Sequence, residues 1–134
     1  MIGIDTNVLL RILLADAPHQ TASAKRLISE VLEREETLYV SLPVLCETIW
    51  VLQSSYRQSR ANIAKALEAI LGDSLFQIES TNNVSIALGQ YTQTNLDFPD
   101  ILIGVLAKAA GCHTTMTFDR RLSRLETFTQ LGRS

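Results

Sequence analysis

This sequence carries no surplus of positive charge: 12 Lys and Arg stand against 14 Asp and Glu, for a formal net charge of −2. A chain that grips nucleic acid by overall charge shows the opposite imbalance. If RNA is a partner, a local basic patch or a bound cation has to supply the attraction. Cysteine is scarce too. Cys46 and Cys112 are far apart and lack C-x-x-C spacing, which argues against a zinc site on paired cysteines and fits a reduced, cytoplasmic protein with two buried structural thiols. No apolar run reaches the ~18–20 residues of a membrane span. Asp5 breaks the opening after four residues, so no signal-peptide h-region is expected. Neither G-x-x-x-x-G-K-[ST] nor G-x-G-x-x-G occurs, which disfavours nucleotide binding. Ser41, Ser54 and Ser55 lack a G-x-S-x-G context. His19 and His113 have no pairing that suggests a triad or a metal site.

What is present reads as one globular domain over residues 1–134, with 46% hydrophobic and 19% charged residues and no repeat, linker or low-complexity stretch. Strand-like runs alternate with helical segments. Ile2–Ile4 begins as a strand, and Thr6–Leu14 is helical until Asp16-Ala17-Pro18 interrupts it. A helix follows from about His19 to Glu36, then a strand at Leu38–Val40. Pro43 opens a helix to about Ser54, and Ser59 caps another through Leu71, ended by Gly72. Leu75–Ile78 is a strand and Thr81–Thr94 a helix; Pro99 starts a helix to about Ala110, closed by Gly111. Thr114–Phe118 is a fourth strand, and a short helix follows Asp119. The pattern gives no support for a fifth strand in the last dozen residues, though there is room for one. This order predicts an α/β fold: a three-layer α/β/α domain around a central, mainly parallel sheet of four to five strands. In such sheets ligands bind beyond the carboxyl ends of the strands, so chemistry is sought just after strands and at the starts of helices.

Acidic residues fall at those points. Asp5 follows the first strand and Asp119 the fourth, and each also suits a helix N-cap. Asp97 and Asp100 stand three apart before an apolar helix, and would also serve as an Asp-based capping box. Glu47 lies in Pro43–Leu52, a helix apolar around most of its circumference, so burial is expected for it. A buried carboxylate needs an arginine, a polar stripe or a cation. Each placement alone has an ordinary structural explanation; together they suggest one acidic site. Carboxylates gathered in one crevice repel each other until a cation neutralises them, and oxygen ligands select hard cations.

The opening IGIDTNVLLR, the Glu of LPVLCETIWVL, the stretch DFPDILIGVLAKAAGC and the strand end TFDRRL resemble the PIN domain, and within it the VapC toxins of VapBC toxin–antitoxin pairs. The likeness runs over almost the whole chain. It implies an α/β/α PIN fold, Mg²⁺- or Mn²⁺-dependent endoribonuclease activity, homodimers, and inhibition by a cognate VapB-type antitoxin. By position, Asp5, Glu47, Asp100 and Asp119 match the family's catalytic, metal-binding acids, and Asp97 an accessory acidic position. Thr6, Asn7 and Thr117 match polar positions beside the metal, where Thr117 would bond a ligand carboxylate or a metal-bound water.

Arg11, Arg120 and Arg121 are candidate contacts to RNA or antitoxin, with Arg124 in the same cluster; a solvated helix face explains them as well. Arg11 also suits pairing behind the site. Two other readings remain open: an aspartate-dependent phosphohydrolase with Asp5 as nucleophile, although Asn7 replaces the second acid of an Asp-x-Asp pair, and a non-catalytic PIN-like module that binds RNA or protein. The apolar segments Leu9–Leu14, Leu45–Leu52 and Ile101–Leu106 carry surface that either a dimer or the core would bury.

Overall fold

A computed structural model describes residues 1–14 and 16–132. The chain forms two compact units, Met1–Thr81 and Asn82–Ser134.

In the first unit, strands β1 (Ile2–Gly3), β2 (Leu38–Val40) and β3 (Phe76–Ile78) form one parallel ladder with β2 in the middle. Ile2 lies opposite Leu38, which lies opposite Phe76. Parallel neighbours need long crossovers. Here these are the helices α1 (Thr6–Leu13) and α2 (Pro18–Glu33) between β1 and β2, and α3 (Leu42–Ser54) and α4 (Arg60–Gly72) between β2 and β3. Leu38 and Val40 of β2 are fully buried, as are Leu9 of α1, Val31 of α2 and Leu45 of α3. Ser41 and Ser59 cap α3 and α4 by accepting from the Val44 and Asn62 amides. The helix expected to reach Glu36 stops at Glu33, because Glu35 takes a left-handed φ of 54° and turns the chain toward β2.

The second unit holds α5 (Thr81–Thr92, entered at the boundary), α6 (Phe98–Ala109), β4 (Thr115–Thr117), a single 3-10 turn at Leu122–Arg124 and β5 (Phe128–Gln130). β4 and β5 pair in parallel, with Thr115 opposite Phe128. Tyr91 of α5 and Phe98 of α6 meet edge to face, their ring centroids 5.9 Å apart, in a core completed by Val84, Ile101 and Phe128. Gly104 makes this packing possible. A Cβ there would stand 2.5 Å from the Phe128 ring and 2.6 Å from Thr127 Oγ1.

The α/β class and the parallel pairing follow the sequence reading. Among the described residues the strands number five, hydrogen-bonded as ladders of three and two. β5 falls in the last dozen residues. The short helix expected after Asp119 is one 3-10 turn, since Leu125 already takes extended geometry. The two thiols are not both buried as expected: Cys46 is half-buried and Cys112 exposed. Among the described residues, no helix is long and apolar enough to cross a membrane.

Candidate functional site

In the first unit, β1 ends at Gly3 and delivers Asp5 to the start of α1. Asp5 is the N-cap: its Oδ1 accepts from the Val8 amide at 3.0 Å. One carboxylate oxygen therefore serves the helix, and Oδ2 has no part in that bond. Glu47 sits in the second turn of α3. Asp5, Thr6, Asn7, Arg11, Glu47 and Tyr56 help line one open cleft of about 820 Å³.

Glu47 corrects one expectation. It is exposed, not buried. Leu45, Thr48, Ile49 and Leu52 form the buried stripe at i, i+3, i+4 and i+7. Glu47 and Trp50 fall off that stripe, and Trp50 is 63% exposed despite its size. A run apolar nearly all round thus still has an open side.

Arg11 is already paired. Its Nη1 lies 2.7 Å from Asp16 Oδ1, and its Nη2 donates to the Tyr56 hydroxyl at 3.0 Å. The Tyr56 hydroxyl in turn donates to Asp16 Oδ2 at 2.6 Å. The three side chains close a ring that ties the last turn of α1 to the residue two beyond α3. The Tyr56 hydrogen bond, and then the Arg11 charge, hold the Asp16 carboxyl below its ordinary range. Sequence reading missed Tyr56 and Asp16, because a ring spanning 45 residues leaves no local pattern. It also missed Glu79, just past β3, whose Oε1 accepts from the Leu42 amide at 2.9 Å and so caps α3 from a distance. The rule that selected Asp5 and Asp119, an acid just beyond a strand, applies to Glu79 too.

In the second unit, Asp97 is the N-cap of α6 by backbone geometry, but its side chain makes no capping hydrogen bond. The expected capping box is therefore not formed. Asp100, in the first turn of α6, is half-buried, and its carboxyl is pushed above the ordinary range, first by burial and then by the charges of Asp97 and Asp119. Asp119 follows β4. Its Oδ1 accepts from the Arg121 amide at 2.8 Å and the Leu122 amide at 3.2 Å. Its own amide donates to Thr117 Oγ1 at 3.0 Å. Thr117 thus positions the Asp119 backbone. Thr6 is buried, Asn7 exposed. Arg120 and Arg121 are exposed, and Arg121 Nη2 donates to the Asn95 carbonyl at 3.0 Å.

The donor set suits a hard cation: carboxylate oxygens, several of them free of hydrogen bonds to the helix ends, with repulsion at Asp100 that a cation would relieve. Among the described residues, no three His, Cys, Asp or Glu side chains stand close enough together to hold a metal ion.

The PIN domain family matches residues 2–127 of this sequence. The chain belongs to the PIN domain family. A VapC ribonuclease of Aquifex aeolicus (strain VF5) is 30% identical over 122 residues, which cover 91% of this chain and 90% of that protein. The PIN domain match spans both compact units, and the acids singled out above all lie within it.

Proposed function

We propose that this chain is a metal-dependent endoribonuclease of the VapC kind, the toxin of a toxin–antitoxin pair, working as a single PIN domain over residues 1–134 in the cytoplasm. The observation that carries the reading is Asp100. A carboxylate raised first by burial and then by two neighbouring carboxylates is costly to a fold and useful to a cation site. The likeness to a VapC ribonuclease over nine-tenths of both chains supplies the substrate class.

In this reading Asp5, Glu47, Asp100 and Asp119 hold Mg²⁺ or Mn²⁺, with Asp97 accessory and Thr6, Asn7 and Thr117 as supporting polar groups. A bound divalent ion supplies charge neutralisation and an activated water for phosphodiester hydrolysis. The chain's own part is positioning. The Val8 amide fixes one oxygen of Asp5. The Arg121 and Leu122 amides fix one oxygen of Asp119. Of the cationic candidates, Arg120 and Arg121 remain as contacts to RNA or a VapB-type antitoxin. Arg11 is spent largely on Asp16 and Tyr56 and is better read as support for the cleft. A homodimer would cover exposed apolar side chains such as Trp50 and Ile103, 63% and 54% exposed.

The test is cleavage of a mixed RNA pool with Mg²⁺, Mn²⁺ or EDTA, with Asp100→Asn run in parallel. Cleavage that requires the metal and disappears in the variant is expected. Wild-type cleavage undiminished by EDTA would overturn the metal assignment, and full activity in Asp100→Asn would remove that residue from the site.

A further inference from the structure

We infer that the cleft between the α5–α6 connection and the turn after β4 is a binding site for a backbone phosphate of the RNA, held by Arg121 and Arg124. This rests on the reading of the chain as an RNA-cutting enzyme and names a part of substrate recognition that the acids do not provide. The cleft has a volume of about 560 Å³ and is lined by Gln93, Thr94, Asn95, Leu96, Arg121 and Arg124. Five of these six side chains are polar or cationic, none is acidic, and there is room for a nucleotide unit.

The walls are built rather than merely exposed. Thr94 Oγ1 donates to the Gln90 carbonyl at 2.9 Å and accepts from the Leu96 amide at 3.3 Å, which fixes the connection after α5. The Asn95 carbonyl in that connection accepts from Arg121 Nη2, which holds the guanidinium across the cleft by one of its five N–H groups. The rest of the fork keeps donors in the planar arrangement that suits phosphate. The Arg124 side chain makes no hydrogen bond or ion pair among the described residues, so its charge is uncommitted. On the other flank, the Arg121 and Leu122 amides are bound by Asp119 Oδ1. The same carboxylate proposed for the metal thus sets the loop that carries both arginines. A phosphate seated here is held in register with Asp119.

Charge makes the same choice. The chain is net negative, so overall charge does not attract RNA. Arg11 is matched by Asp16. Arg120 is exposed but does not line the cleft. Arg121 and Arg124 are cations that share a polar cleft next to an acid of the proposed metal set.

The experiment measures equilibrium binding of a fluorescein-labelled single-stranded RNA to the full chain in EDTA, across a series of salt concentrations, for wild type, Arg124→Ala, Arg121→Ala, Arg124→Lys and Lys25→Ala. Each phosphate neutralised on a single strand contributes about 0.7 to the slope of log K against log salt. Arg124→Ala and Arg121→Ala should each flatten the slope by up to about 0.7, Arg124→Lys should restore it, and Lys25→Ala, at an exposed cation of α2, should leave it unchanged. With Mg²⁺ present, Arg124→Ala should raise KM several-fold with kcat kept within about twofold, as for binding lost equally from ground and transition states. An unchanged slope in Arg124→Ala overturns the proposal and leaves the arginines to an acidic protein partner. An equal fall in Lys25→Ala also overturns it, in favour of diffuse surface charge. Metal-dependent cleavage by the wild type alongside either result leaves the nuclease reading standing. A wild type that neither binds nor cuts RNA overturns both.

Discussion

In Met1–Thr81 the proposed metal acids, Asp5 and Glu47, stand exposed in a wide cleft, and the half-buried arginine beside them is balanced by Asp16. In Asn82–Ser134 the acids press on one another: Asp100 is half-buried, and its carboxyl is raised by burial and by Asp97 and Asp119. The first unit therefore leaves its acids open to solvent, while the second carries one against its own stability. A group kept at such a cost is a stronger pointer to function than a group that sits comfortably, because packing alone would have replaced it.

The largest expected effect tests that contrast directly. Folding raises the Asp100 carboxyl, so the folded chain binds that proton more tightly than the unfolded chain does. Its contribution to stability therefore falls as pH rises from the ordinary carboxylate range through the raised value. Asparagine keeps the shape without the charge. At neutral pH Asp100→Asn should keep or raise Tm while lowering cleavage by on the order of 100-fold or more. Asp5→Asn should lower cleavage as severely but leave Tm near wild type, since asparagine is an equally good N-cap. Saturating Mg²⁺ should stabilise wild type by about 2.7 kcal/mol at a hundredfold excess over Kd, and neither variant to that extent. Scanning calorimetry with and without the metal reads all three. A clear fall in Tm for Asp100→Asn would break the comparison.

Packing in the second unit is tight at one glycine and open at another. Gly104→Ala puts a methyl group 2.5 Å from the Phe128 ring and 2.6 Å from Thr127 Oγ1, so β5 must move away from α6. A loss of about 1–3 kcal/mol is expected in urea unfolding. Gly89 lies inside α5 with nothing within 4 Å of a Cβ. Gly89→Ala should instead gain about 0.5–1 kcal/mol from helix propensity. Equal effects at the two sites would mean that the Gly104 contact does not constrain the unit.

How much of this was legible in the sequence depended on range. Helix starts at Pro43, Ser59 and Pro99 and the ends of the first four strands carry local signals, cap chemistry and apolar periodicity, and they are read within a residue or two. β5 was not legible. Three residues with one buried side chain, Phe128, have no period to detect, and the pairing with β4 alone makes them a strand. The positions of Asp5, Asp100 and Asp119 were legible because strand ends and helix starts are local events. The exposure of Glu47 was not, because which side of an apolar helix faces solvent is decided by its neighbours. The Arg11–Asp16–Tyr56 ring was invisible for the same reason, since two of its three residues gain meaning only from the fold.

That ring gives the smallest predicted effect and the sharpest contrast between the units. The Asp16 carboxyl is lowered by folding, first through the Tyr56 hydrogen bond and then through the Arg11 charge. A lowered carboxyl contributes stability that is present above its ordinary range and is lost as pH falls through the lowered folded value. Asp16 thus makes the chain less stable toward acid, whereas Asp100 makes it more stable as pH falls. Tyr56→Phe removes the hydroxyl and leaves the ring in place, so it should lower Tm modestly at neutral pH and flatten the acid-side loss. Asp100→Asn should steepen that same loss, because the opposing contribution is gone. Tm measured from pH 7 down to the acid limit in wild type and both variants decides the matter. If the two substitutions bend the pH profile in the same direction, the opposition between a balanced first unit and a strained second unit is wrong.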